Sequence, residues 1–221
     1  MFKYQFRGDT VWGSFDFLMS GLQMTLVISA ITLVLAMVAG LAIALLDMSR
    51  FPPARWIGVT FGEIIRNTPI LVQLLWVYYV LPIVFGVRIE SLVALVIGLS
   101  LYQGAFISEV YRSGIQSVPR GHSEAAQVLG LTSLQNFRRI VLPQAIRMTL
   151  PPLASNFVQL IKFSSLGAVI SVSEITRRGM ELSATNFRPL ETFTFIAVVY
   201  FVICWPLAMG IRWWERRLLT R

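Results

Sequence analysis

The sequence predicts an all-α integral membrane protein, and three observations carry that expectation. Only 14% of its 221 residues are charged and 56% are hydrophobic, whereas soluble domains carry about 25% charged residues. Residues 22–46 contain no charge at all. As a helix this stretch would be about 37 Å long, more than the roughly 30 Å of a bilayer's hydrocarbon core. Comparable apolar runs recur along the chain, separated by shorter segments rich in arginine.

Five spans follow in order. The first covers 19–47. The second, 56–87, carries Glu63 and Arg66 early, is charge-free from 67 to 87, and is interrupted by Pro69. The third covers 90–109, and a polar segment, 110–147, comes next. The fourth, 148–173, has Pro151 and Pro152 near its start and Lys162 inside it; the fifth is 190–211. Proline removes a backbone donor and kinks a helix. At membrane depth such breaks are tolerated only where protein or water satisfies the freed carbonyls, so they fit a cavity wall better than a sealed anchor. Without internal repeats, the spans read as one membrane domain over 1–221.

An odd number of spans puts the two termini on opposite sides. The 47–55 loop, the 109–147 stretch and the C-terminal tail hold eleven arginines; the opposite segments hold six basic residues, Lys3, Arg7, Arg88, Arg177, Arg178 and Arg188. By the positive-inside rule the first set is cytoplasmic, with the N-terminus outside and the C-terminus inside. The net charge of +8 is thereby a matter of topology, and no nucleic acid partner is expected. Residues 1–17 are mixed and polar, and the first apolar run exceeds the 7–15 residues of a signal core, so it reads as a retained anchor.

Several chemistries are excluded by count. Cys204 is the single cysteine and His122 the single histidine, which leaves no internal disulfide, cysteine cluster or histidine-rich metal site. No nucleophile, base and metal ligands converge in a pattern, so no catalytic residue is assigned. No G-x-x-x-x-G-K-[ST] loop exists to cradle nucleotide phosphates; any energy from ATP must come from a separate protein, and this chain is expected to bind no cofactor.

Two constellations within the spans stand out. Ser155, Gln159 and Lys162 fall at i, i+4 and i+7, which places them on one helical face. A lysine near the membrane centre costs on the order of 2.5–3.5 kcal/mol, so it should face protein or water. The face reads as a cavity wall with an ammonium available to a carboxylate, set against a structural pair with a buried acid. Ser164 and Ser165 are further candidates, although hydroxyls also satisfy helix backbone. Glu63 and Arg66, at i, i+3, form a structural or gating pair; Glu109 and Arg112 repeat the spacing at the end of the third span. Trp205, Trp213 and Trp214 suit an interfacial belt.

The polar segment contains a short helix. Ser123 is expected to cap it, Glu124 to favour its dipole, and Gly130 to end it in a left-handed conformation. Thr132 and Gln135 have capping-box spacing, and Pro143 is expected to turn the chain back toward the bilayer. A helix of about two turns is too short to stand alone in water. It is either a link pressed into a partner through its two small alanines, or an ordinary loop packed on its own bundle.

The residues Glu124-Ala125-Ala126, three residues, Gly130, nine residues and Ile140-Val141-Leu142-Pro143 resemble the EAA signature of ABC-importer permease subunits at every fixed position. "RNTPILVQLLW" (66–76), "EVYRSGIQSVPRG" (109–121) and "FRPLETFTFIAVVYFVICWPL" (187–207) resemble the polar amino acid uptake family, and together these stretches cover most of 18–217. His122 stands where that family more often has glutamine, and Phe163 where many members carry a small polar or acidic residue. The resemblance implies a type I ABC importer-like fold in a bacterial inner membrane. It implies a coupling helix in which Glu124, Ala125, Ala126 and Gly130 contact the ATPase. It also implies two ABC ATPase subunits that bind ATP-Mg, a second permease copy or homologous permease, and an extracytoplasmic amino acid-binding protein. Lys162 with Arg88, Arg177 and Arg178 leans the substrate toward glutamate or aspartate, with basic amino acids, glutamine or cystine as alternatives. An ATP-independent secondary carrier would require repeated halves with paired broken helices, which the chain lacks.

Overall fold

The computed structural model describes residues 5–219; Lys3 and Arg221, both part of the charge asymmetry, lie outside the described residues. A single turn, α1 (Asp9–Trp12), precedes α2 (Phe15–Asp47), α3 (Pro52–Arg66), α4 (Ile70–Phe85) and α5 (Ser91–Gln116). The short α6 (Arg120–Val128) follows, then α7 (Ser133–Ile170), α8 (Ile175–Asn186) and α9 (Pro189–Leu219). No strand forms among the described residues. Helices α2, α5, α7 and α9 are each long and apolar enough to cross a membrane, and α3 with α4 qualifies as a fifth, broken span bent by 106°.

The break falls at residues 67–69, and the side chains there explain it. Asn67 Nδ2 donates to the Glu63 carbonyl at 2.8 Å and Thr68 Oγ1 to the Ile64 carbonyl at 2.7 Å. Those two carbonyls of the last turn of α3 are thereby occupied, and Pro69 has no N–H with which to continue the ladder. Pro52 and Pro53 open the same helix at its first positions, where a missing donor costs nothing.

Two expectations are corrected. Pro143 does not turn the chain; helix runs continuously from Ser133 to Ile170. A π-helical turn at Phe137–Val141 immediately precedes this proline, just as a π turn at Trp76–Val80 precedes Pro82. The wider turn shifts the hydrogen-bond register where a residue without an N–H must be carried. Ser123 is not a cap either: α6 starts at Arg120 behind Pro119, with no side-chain cap.

The chain divides into two compact units. The first comprises Met1–Thr32, Ile70–Leu99 and Val158–Ala208. Here α8 lies against α2 so closely that a Cβ on Gly21 would come within 2.9 Å of the Ile175 Cα, and Ile175 N–H donates to Thr25 Oγ1 at 3.3 Å. Gly179 gives α8 equal access to Ile196 of α9.

The second unit comprises Leu33–Pro69, Ser100–Phe157 and Met209–Arg221. Its core is Ala36, Ile107 and Leu153, covered by Leu33, Met37, Val110 and Tyr111. Small residues let the helices approach: a Cβ on Gly40 would sit 2.7 Å from Ile107 Cγ2 and 2.9 Å from the Gly104 carbonyl. Without a hydrophobic drive between helices in lipid, such contacts carry much of the association. One buried amide pair, Gln103 Nε2 to Asn156 Oδ1 at 2.7 Å, adds a polar tie. Replacing Gly40 by leucine should overpack this contact and cost about 1–3 kcal/mol. The expected result is a lower unfolding temperature in detergent; an unchanged one would refute the contact.

Candidate coupling segment and translocation wall

The backbone of α6 ends in a complete C-terminal motif. Gly130 has φ +74°, and its N–H donates to the Gln127 carbonyl at 3.0 Å while Leu131 N–H donates to Ala126 at 3.0 Å. These are the two bonds of a Schellman cap. The next helix starts at once with a reciprocal capping box: Gln135 N–H donates to Thr132 Oγ1 and Thr132 N–H to Gln135 Oε1. His122 Nδ1 lies 3.0 Å from Gln144 Oε1, tying the start of α6 to α7. A two-turn helix thus acquires a fixed geometry from its ends.

Its faces are unequal. Ala126 is only 1% exposed, packed within its own chain, while Glu124, Ala125 and Gly130 are exposed. The most exposed apolar residues of this segment are Val128 at 88% and Leu129 at 78%, with Leu134 beside them in the sequence of the hairpin. A cleft of about 410 Å³ lined by Leu134, Gln135, Arg138 and Arg139 lies on the same segment. Sequence reasoning missed this tip; its signal was the pair of large apolar residues placed just before a capping glycine in otherwise polar chain.

The paired charges have structural duties. Arg66 Nη2 meets Glu63 Oε1 at 2.7 Å, and Arg66 Nη1 donates to the Ala105 carbonyl of α5 at 3.0 Å. Arg112 donates to Glu109 Oε2 at 3.0 Å and to Gln116 Oε1 at 3.2 Å, with Asp47 3.8 Å away. Both pairs fix where helices meet.

Ser155, Gln159 and Lys162 are all exposed on α7 while Asn156, Val158, Leu160 and Ile161 between them are buried. The helix therefore turns one polar stripe away from its own packing. Lys162 forms no salt bridge among the described residues. Ser164 and Ser165 behave differently: their hydroxyls donate to the Ile161 and Lys162 carbonyls at 2.8 and 2.6 Å, and Ser164 is buried.

Just beyond, the chain tightens into 3₁₀ turns over Ser164–Ile170, and Ser171 takes φ +64°. Val172 N–H donates to Gly167 O at 2.9 Å and Glu174 N–H to Val172 O at 2.8 Å. Glu174 then caps α8: Oε1 accepts from Arg177 N–H at 2.7 Å and Oε2 from Thr176 N–H at 2.9 Å. The Tyr200 hydroxyl of α9 adds a third donor, 3.3 Å from Oε2. Burial pushes this carboxyl up from the ordinary carboxylate range, opposed by the backbone donors of Thr176 and Arg177 and by the Thr176 and Tyr200 hydroxyls. Nearby, Arg177 pairs with Glu181 at 2.8 Å, and Arg178 lies over the Phe17 ring.

Residues 33–220 match the family described as binding-protein-dependent transport system inner membrane component. The glutamine transport system permease protein GlnP of Escherichia coli K12 is 38% identical over 97% of this chain and 98% of its own. The glutamate/aspartate import permease protein GltK of E. coli O6:H1 is 30% identical over 97% and 99%. A crystal structure of an amino acid ABC transporter is 33% identical, with a TM-score of 0.92 over 97% of this chain and 100% of that one. A chain with these spans, this capped segment and these likenesses belongs to the binding-protein-dependent inner-membrane permeases, as an amino acid permease subunit of an ABC importer whose ATP is hydrolysed by a separate subunit.

Proposed function

We propose that the chain forms one wall of a path for a polar amino acid, with the α7 stripe of Ser155, Gln159 and Lys162 facing that path. The single observation that carries this reading is an exposed ammonium and amide on an apolar helix. Lipid cannot accommodate them cheaply, so a second permease copy or homologous permease across a water-filled path is their natural surrounding. Lys162 would take the α-carboxylate that every amino acid carries. Because that group requires no acidic side chain, and Arg177 is already held by Glu181, glutamine is the first substrate we assign. Glutamate or aspartate is the second reading, favoured by the likeness to a glutamate/aspartate permease.

On this reading α6 lies on the cytoplasmic side, the N-terminus outside, and an extracytoplasmic binding protein delivers substrate. Two ATPase subunits that bind ATP-Mg seat the exposed Glu124–Ala125 face and the Val128–Leu129 tip, while Ala126 holds the helix to its own bundle. Their closure would draw the segments of two permeases together, a two-state element biased by a ligand.

Two outcomes are expected in the reconstituted complex. Lys162→Gln should raise the KM for glutamine about tenfold or more, since a hydrogen bond to a charged group contributes about 1.5–3 kcal/mol, and Lys162→Arg should retain most affinity. An unaltered KM in both variants would remove Lys162 from the path. Gly130→Pro, whose φ is locked near −65° where the chain requires +74°, should abolish uptake with membrane insertion intact. Normal uptake would remove the coupling role.

A further inference from the structure

Glu174 is fully buried, and no salt bridge to it forms among the described residues. Its donors are neutral: two backbone N–H groups and the hydroxyls of Thr176 and Tyr200. Helix caps are ordinarily short residues such as serine or aspartate, which suffice for backbone donors. The longer glutamate reaches Tyr200 on α9 as well, a contact that capping alone does not need.

Tyr200 carries the connection further. Its hydroxyl lies 3.2 Å from Thr176 Oγ1 and also interacts with the Ser164 side chain. Ser164 opens the 3₁₀ turns at the end of α7. Cys204 lies one turn on from Tyr200 along α9. Tyr200 therefore ties α9 to the start of α8, and the bonded peptide from Glu174 back to Gly167 leads to the end of α7. The peptide between Ser164 and Glu174 has little freedom of its own: its backbone bonds close it on both sides of Ser171, and a Cβ on Gly167 would meet Leu95 at 2.7 Å.

We propose that Glu174 is a positioning residue for translocation: through Tyr200 it fixes the turns that end α7 and so sets where Lys162, Ser164 and Ser165 stand. The functional consequence rests on the reading that this end of α7 lines the path. The carboxylate touches no substrate; it anchors one end of a short rigid segment whose other end carries the candidate contacts. Loss of the tyrosine hydroxyl leaves the ring packed but frees that end to turn.

The native Cys204 is the reporter. In proteoliposomes holding the full complex with cysteine-free ATPase subunits, its modification rate by a methanethiosulfonate reagent is measured for the wild type, Tyr200→Phe and Glu174→Gln. Both variants retain side-chain volume, and Glu174→Gln retains a carbonyl acceptor. Each should change the rate and raise the KM for glutamine about three- to tenfold, as expected for one lost hydrogen bond, with maximal rate and basal ATPase activity kept. Unchanged labelling in both variants overturns the proposal. So does a loss of assembled complex in which the surviving fraction labels and transports as wild type, because that is a purely structural role. Protection of wild-type Cys204 by saturating glutamine, glutamate or aspartate tests the path reading separately. Shifted labelling in the variants with no protection by any of the three leaves Glu174 positioning the end of α7 and removes the path reading instead.

Discussion

A polar group carried into hydrocarbon must find its partner inside the protein or in enclosed water, because the bilayer offers none. Much of this chain's design follows from that constraint. Hydroxyls turn back onto their own helices: Thr25 to Gly21 O, Ser29 to Thr25 O, Ser164 to Ile161 O and Ser165 to Lys162 O. Arg66 covers its charge with Glu63 and donates through Nη1 to a carbonyl of α5. Glu174 is enclosed by donors from its own helix start and from α9. Against this background the stripe of Ser155, Gln159 and Lys162 is conspicuous because nothing in its own packing covers it. Lipid is the poorest of its possible surroundings.

The same constraint explains how the chain handles its prolines. A proline leaves a carbonyl one turn earlier without its donor. In two places the helix meets this with a π turn, ahead of Pro82 and ahead of Pro143, and continues. At Pro69 the chain instead breaks, with the Asn67 and Thr68 side chains bonded to carbonyls of the last turn of α3. Similar residues thus produce a continuous rod or a sharp bend, depending on whether neighbouring side chains compete for the backbone.

Helix α6 shows how a helix too short to persist by itself becomes a stiff part. Its propensity contributes little at two turns. The Schellman bonds at Gly130, the capping box at Thr132 and the His122–Gln144 contact hold both ends, and Ala126 seats it in its own chain. Its stiffness comes from local hydrogen bonds. That leaves the exposed apolar tip, Val128 and Leu129, available to another surface.

The sequence by itself determined the helical class, the long apolar helices, the Gly130 and Thr132 caps, the i, i+3 ion pairs and the single face shared by Ser155, Gln159 and Lys162. These are legible because they depend on periodicity and on residues a few positions apart. Only the tertiary structure decided that Pro143 lies within a rod, that Ser123 lies inside α6, that Ala126 faces inward and Val128 outward, and that Glu174 meets Tyr200 twenty-six residues away. Those outcomes depend on which distant helix arrives at a given face, and a local pattern of residues carries no record of that arrival.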